Sequence, residues 1–518
     1  MLRSLLVLFV LALAWVLILW FALPFQITDQ PISVVLLAHA LPPLVLWSGW
    51  LLVVALRKRR RAQALAREQA ATEAERQQAM AELQERQAAE LARLRFGCDC
   101  LAAVITGLSL GPETLEAALP PADPPATDDD EPEDAEEDAD FPTPERSPAM
   151  AEFAGPLKQA LEAIYQASPA ALALPVFVLP PAHIAATEAF DVTRDLIIEI
   201  AEALECGDIV EATGIQIRFV PSGDTPSESI LRIFDHQPDL PGALILAFDS
   251  PAQRDEAAFE KAMSSEERAA IAAAVSDRST WLGEPQTAVI ALLITHPEAE
   301  TMLASICDTT LESAHPDESL VPFWQRSGEL TGTLAALVHF SAGDRDVLNQ
   351  LPRLSRIHRA ATAQLTSQAR AMETCVIHQT ALEKALLAGG LPQSKHAADE
   401  NGHAYSQAPA KQTKPLGWLL HNAGPLERYG PRLGALAAAM SHFGFDLHSL
   451  DEATNFAQQV GDLGAATAWA MLAEAVVRAS KLDAPALISY YEPEEGLALS
   501  LVVPAAKAET LAAHEIGE

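Results

Sequence analysis

The sequence predicts an α/β protein: a layered α/β domain behind an N-terminal two-helix membrane hairpin and a helical spacer. Three observations carry this. Two long uncharged apolar runs fill most of the first 56 residues. Residues 57–95 are rich in Ala, Glu, Gln and Arg and contain neither Gly nor Pro. From about residue 150, short apolar runs of strand length alternate with segments of helical apolar spacing, the pattern of a layered α/β domain.

The apolar runs are residues 4–23 and 32–56, each long enough to cross a hydrocarbon core of about 30 Å as a helix. A short loop, residues 24–31, holds Asp29 between them. Arg57-Lys58-Arg59-Arg60-Arg61 follows the second run directly. Lys and Arg near span ends stay on the cytoplasmic side, so Arg3 and the basic cluster together predict a two-span membrane hairpin with the N-terminus and all of residues 57–518 in the cytoplasm. A cleaved signal peptide fits poorly, because no small-x-small cleavage site follows the first run and a second run begins within ten residues. Pro42-Pro43 fall inside the second run, where they remove backbone donors that membrane helices can spare.

The spacer, residues 62–95, consists of strong helix formers with recurring Glu/Arg pairs at i,i+3 and i,i+4. As a helix it reaches roughly 60 Å from residue 57. Leu65, Met80, Leu83, Leu91 and Leu94 do not keep an a/d heptad, so a solvated single helix and a coiled coil both stay open. Residues 96–119 form a short apolar segment expected to cap the spacer or dock on the main domain. Residues 120–148, rich in Pro and acid (DDDEPEDAEEDAD), read as a disordered linker, either simply solvated or meeting a basic partner.

The remainder, 149–518, is expected to form two halves, about 149–330 and 331–518. Strands are expected at 173–179, 214–220, 242–248, 287–295, 334–340 and 417–420. Helices are expected at 191–204, 227–235, 266–275, 356–388, 429–443 and 461–479. Residues 485–490 and 496–503 flank Glu492–Glu495 as a closing antiparallel hairpin. A polar loop at 389–414, with Asn401, Gly402, His403 and Tyr405, is long enough to be partner-facing.

Composition bounds the function. A net charge of −35 argues against nucleic-acid binding, which needs Lys and Arg on phosphates, and favours basic partners. Five cysteines (98, 100, 206, 307, 375) suit a reducing compartment rather than a disulfide framework. Cys98-Asp99-Cys100 has no second pair to complete a zinc site. No metal, no cofactor and no phosphate-cradling Gly-rich loop is expected, and no G-x-S-x-G marks a serine hydrolase.

Two stretches near the end carry a resemblance. Residues 417–420 lead into His421-Asn422-Ala423-Gly424-Pro425, and Gly461-Asp462-Leu463-Gly464-Ala465-Ala466 opens a helix. In that order, before a terminal hairpin, they resemble the C-terminal half of the thiolase-like fold of ketoacyl synthases. There a strand ends in a His-Gly-Thr-Gly-Thr-type loop and a Gly-His-x-x-Gly-Ala-Ala stretch opens a buried helix. Asp249-Ser250 after a buried strand is similar to the N-terminal half. The resemblance implies an internal pseudo-dimer, with His421, Asn422, Gly424, Gly461, Asp462 and Gly464 as candidate binding residues. The sequence departs from it where chemistry is concerned. Neither Cys206, Cys307 nor Cys375 sits in a small-residue nucleophile elbow; each reads as a buried small apolar residue. Asp462 stands in place of the second catalytic His. No catalytic residue is therefore assigned.

The whole chain is also similar to two-span, cytoplasm-facing lipase adaptors of the type VI secretion system. That likeness rests on the hairpin, the charged helix, Phe96-Gly97-Cys98-Asp99-Cys100 and His421–Pro425. It implies a non-catalytic adaptor or chaperone whose partner is an effector, such as a phospholipase toxin, or a secretion-spike component. Two other readings stay open: an acyl-transfer enzyme of degenerate ketoacyl-synthase type using His421, and a membrane-assembly scaffold in which the hairpin makes a homo-oligomer.

Overall fold

The computed structural model describes residues 2–22, 32–108, 147–207, 209–210, 215–308, 348, 351–365, 371–391, 416–445, 452–492 and 496–505. The chain divides into two units, Met1–Leu91 and Ala92–Glu518.

In the first unit, α1 is Leu2–Ala22 and α2 begins at Ile32, its last turn entering the second unit at Arg95. Among the described residues one helical stretch, Ala40–Gln63, is long and apolar enough to cross a membrane. Within α1, a shorter apolar stretch, Leu6–Ile18, is found among the described residues. Two spans are thus more than the described residues show. The loop expected at 24–31 lies outside them, as do most of the acidic linker, the strand expected at 334–340, most of the loop expected at 389–414, and Glu494 and Glu495.

The second unit is a layered α/β domain. Its elements run β1 (Gly97–Thr106), α3 (Pro148–Ala167), β2 (Val176–Leu179), α4 (Ala186–Ala203), β3 (Ile217–Phe219), α5 (Pro226–His236) and β4 (Gly242–Asp249). Then come α6 (Pro251–Lys261), α7 (Ser265–Leu282), β5 (Ala288–Thr295), α8 (Ala299–Asp308), β6 (Ser355–His358), β7 (Ala361–Gln364), α9 (Ala371–Ala388) and β8 (Trp418–His421). The chain closes with α10 (Leu426–His442), β9 (Ala453–Asn455), α11 (Phe456–Gln459), α12 (Thr467–Leu482), β10 (Ala486–Tyr491) and β11 (Gly496–Pro504).

The strand order β3-β2-β4-β5-β1-β6-β11-β10-β8-β9, with β7 also on β11, contains a repeat. β2 pairs in parallel with β3 and β4, and β4 antiparallel with β5. β8 does the same with β9 and β10, and β10 with β11. Each half therefore reads β-α-β-α-β-α-β-β, an internal pseudo-dimer. The first half adds α6 and α7 between β4 and β5, and the second adds β7 after β6 and α11 before α12.

Three apolar cores make the layers. Along β4, Ala243, Ile245 and Ala247 face one core while Leu244, Leu246 and Phe248 face another, the period-2 alternation of a strand buried on both sides. The outer core of the first half packs under α3 and α4. That of the second packs under α9 and α10. On the opposite face of this continuous eleven-stranded sheet lie α5 and α12, which share one core with strands of both halves. Helix starts follow local chemistry. Thr225 caps α5 by accepting from the Glu228 N–H, ahead of Pro226. Ser264 and Glu267 form a reciprocal capping box on α7.

Two segments differ from expectation. Of the apolar segment expected at 96–119, Gly97–Thr106 are β1, inside the sheet, pairing with β5 of its own half and with β6 of the other, while 109–119 lie outside the described residues. The single helix expected at 356–388 is instead β6, β7 and α9. Residues 355–364 carry no Gly or Pro to signal a break, and pairing with β1 and β11 overrides their helical propensity.

At the seam, Asp99 on β1 faces Arg356 on β6 directly in register. Asp99 is fully buried and accepts from Arg356 Nε at 2.7 Å and Nη2 at 3.1 Å, with Arg353 at 3.4 Å. Nearby, buried Arg359 binds Glu228 (3.0 and 2.9 Å) and Asp235 (2.7 and 2.7 Å) on α5. Removing one partner of a buried pair strands the other charge. Asp99→Ala is therefore expected to cost about 3–5 kcal/mol, read as a fall in the urea midpoint at unchanged m-value; a cost below ~1 kcal/mol, that of an exposed ion pair, would remove Asp99–Arg356 as the clamp of the seam.

Candidate functional site

The two loops singled out by sequence lie at corresponding ends of the second half, one after β8 and one before α12. His421 ends β8, is 2% exposed, and accepts the Ala423 N–H on Nδ1 at 3.4 Å. Leu419 faces the outer core and Leu420 the central one, so alternation puts His421 on the outer row. Burial lowers its pKa to about 4, and the ring is neutral at physiological pH.

Asn422 is a strut. Its Nδ2 donates to the Tyr491 carbonyl at 2.9 Å and its Oδ1 accepts the Tyr491 N–H at 2.7 Å, which extends the β8–β10 pairing by one side chain. The Tyr491 hydroxyl donates to His378 Nε2 at 3.2 Å, because His378 Nδ1 donates to the Thr374 carbonyl at 2.8 Å. Gly424, at φ +83°, turns the chain and offers its carbonyl to Asn455 Nδ2 at 2.9 Å.

The second loop locks the two halves together. Asp462 is 2% exposed, and its backbone exchanges hydrogen bonds with Glu284 O and Gln286 N, each at 2.9 Å. Its side chain accepts from the Gly464 N–H at 2.8 Å and meets Arg278 Nε at 2.9 Å. Burial raises its pKa, against the opposing pull of the Gly464 N–H, Arg278 and Arg254. Asp249, at the end of β4, accepts the Ala465 N–H at 2.7 Å and sits 3.5 Å from Arg254. Arg278 also pairs with Asp255. Gly461 (φ +99°) leaves no room for a Cβ, which would lie 2.3 Å from the Glu284 carbonyl. At Gly464 (φ +60°) a Cβ would strike the Asp249 carboxylate.

Gly461 and Pro425 line a common cleft of about 370 Å³, together with Trp281, Gly283, Glu284, Gln286 and Gln458. His421, Asn422, Gly424, Asp462 and Gly464 do not line it. The cleft has a polar rim and one aromatic wall, Trp281. Sequence reading passed over Asp249's partners and the Arg278–Gly283 stretch; the Trp-Leu-Gly that ends α7 ahead of an apolar strand was the available signal. A second cleft, about 400 Å³, lies where Asp224 precedes α5 and meets Thr362, Gln364, Glu492 and Gly496.

The first turn of α5 carries Ser227 and Ser229, both buried, and no cysteine. Ser500 Oγ lies 3.3 Å from Ser227 Oγ. Cys98 and Cys100 are buried and their thiols are pushed up, Cys100 to about 12. Cys206 and Cys375, expected to be buried, are half-buried; the side chain of Cys307 lies outside the described residues. Among the described residues no group of three His, Cys, Asp or Glu could hold a metal ion.

No protein-family model matches the chain, and no curated protein does. Solved structures do. The ishigamide ketosynthase/chain length factor is 12% identical at a TM-score of 0.32, over 64% of this chain and 72% of that one. Cerulenin-bound OleA from Xanthomonas campestris is 13% identical at 0.33, over 68% and 79%. Its acetamide-bound form is 12% identical at 0.32, over 68% and 81%. The strand order and layers above, rather than these scores, define the architecture.

Two predictions follow from the loops. Gly390 has φ +65° with open space around its missing Cβ, so Gly390→Ala pays only for the left-handed backbone, about 1–2 kcal/mol. Gly461→Ala adds a backbone collision and is expected to cost clearly more in the urea midpoint; equal costs would mean that the junction yields. His421 and His358 are both held near 4 by burial, against about 6.5 unfolded. Between those values the unfolded chain binds the extra protons, so stability falls as pH drops from 6.5 towards 4, by about 1.4 kcal/mol per pH unit per histidine. Asp462 and Glu474, raised by burial, oppose this at the acid end. His421→Asn is expected to flatten the slope of stability between pH 7 and 5 by one proton; an unchanged slope would place His421 in water.

Proposed function

We propose that this chain is a membrane-anchored binding protein whose layered α/β domain holds a protein partner and performs no group transfer. The observation that carries this is the engagement of Asp462: its side chain, backbone N–H and backbone carbonyl are all committed to the junction between the halves. His421 is neutral, buried and on the outer row, and α5 presents no thiolate. The anchor in this proposal is the two-span hairpin of a bacterial inner membrane, with both termini in the cytoplasm. The partner is the class implied by the family resemblance, an effector or a secretion-spike component, docking through the cleft at Trp281, Gly283 and Gly461. A homo-oligomer is compatible with it.

One observation favours a second reading, acyl transfer: the 400 Å³ cleft beside α5, whose first turn carries Ser227 against Ser500. The two readings separate in one experiment. Full-length protein is extracted in mild detergent, its stoichiometric partners are identified by mass spectrometry, and it is then incubated with acyl-CoA and acyl carrier protein. A co-purifying protein partner, released by Trp281→Ala, with no covalent mass shift, is the expected result. An acyl adduct lost in Ser227→Ala or His421→Ala would establish the enzyme instead.

A further inference from the structure

In the first unit, an apolar groove of about 470 Å³ runs along α2, lined by Leu37, Leu41, Leu44, Val45, Trp47 and Ser48. Leu37, Leu41, Leu44, Val45 and Ser48 follow the i, i+4, i+7, i+8, i+11 spacing of one helix face, and Trp47 flanks it. Pro42 and Pro43 sit inside the helix at the same level. Ser48 Oγ is turned back onto the Val45 carbonyl at 2.8 Å, which leaves the groove without a free polar group on that side chain. The same face continues through Leu52 and Ala55, both exposed, to Arg59. Eleven residues at about 100° each make three turns, so Arg59 stands over Ser48, about 16 Å along the axis. Arg57 and Arg61 are each two residues from Arg59 and point about 200° away. Arg57 to Arg61 are all exposed, and no acidic residue occurs from Ile32 to Arg67.

We propose that this face is a binding site for one anionic phospholipid, its phosphate on Arg59 and one acyl chain along Leu52, Ser48 and Val45 into the groove. The proposal rests on α2 entering a membrane. The charge complement selects the headgroup: five cations with no acid nearby attract an anionic lipid, and a zwitterionic one only weakly. The groove suits an acyl chain, since its lining is apolar apart from Trp47 and from Ser48, whose hydroxyl is turned onto the Val45 carbonyl.

The test is native mass spectrometry of the full-length protein, extracted in mild detergent and supplied with phosphatidylglycerol or phosphatidylcholine. Wild type is expected to keep one phosphatidylglycerol in preference to phosphatidylcholine. Arg59→Gln is expected to lose about fivefold in occupancy, while Arg61→Gln, equal in charge but on the opposite face, stays within about twofold. Val45→Trp, which fills the groove, is expected to lose the lipid with the basic cluster intact. Equal losses in Arg59→Gln and Arg61→Gln would reduce the site to diffuse attraction and overturn it. So would equal retention of the two lipids, or a dimer that Val45→Trp dissociates. Protein extracted from membranes without any lipid overturns the site alone; protein that is soluble without detergent overturns the membrane anchor as well.

Discussion

The layered domain depends on one strand serving two halves. β1 pairs with β5 through Asp99–Thr106 and with β6 through Gly97–Cys100, so the two pseudo-equivalent halves of the sheet meet along it. The buried Asp99–Arg356 pair lies at that meeting. A charge inside a strand is costly unless its opposite neighbour neutralises it, and a slip of one residue would turn Asp99 onto the face of Cys98 and Cys100, which is apolar. The pair thus penalises every register but one. Gly97 adds a steric constraint, since a Cβ there would lie 2.8 Å from the Ile357 carbonyl.

The polar groups with the most engagements gather where halves or layers meet. Arg359 joins the β6–β7 turn to α5, and its Nε donates to the Arg93 carbonyl at 3.0 Å, in the last turn of α2. Asp249 and Asp462 join β4 and α7 to the start of α12. The buried apolar side chains gather by contrast in the three cores. Apolar burial supplies the bulk of the stabilisation without direction, and the seam polar groups supply the direction. This division of labour is what the proposed non-catalytic reading rests on. A group that must release and rebind a substrate cannot also be spent as a strut. The cleft at Trp281 is formed at the edge of that junction, where Glu284 of the first half and Gln458 of the second are exposed.

Much of the fold was legible because its strands are locally distinct. Residues 242–248, 287–295 and 496–503 are continuous apolar runs bounded by Gly, Pro or Thr, and each is a strand buried on both faces. β6 and β7 were not legible. Ser355–Gln364 looks helical in isolation, and only pairing with strands distant in sequence makes it extended. β1 was half legible: its apolar residues were visible, but Asp99 between two cysteines disguised the alternation. For the site, the positions of the two loops could be read from small residues at a helix start. Their roles could not, because Asp462 is defined by Arg278, and Gly464 by Asp249, each some 200 residues away in the chain.

The measurement that most directly tests the strut assignment is native-state hydrogen exchange of the Asp462, Ala465 and Gln286 amides in the full-length protein. If the junction holds the halves together, these amides exchange only through the same opening that frees the β1 amides, with the same free energy and the same denaturant dependence. Exchange of Asp462 and Ala465 through a smaller, denaturant-independent opening, while β1 stays protected, would show a mobile loop over an intact fold. It would contradict the strut assignment and leave Asp462 and its neighbours free to meet a ligand.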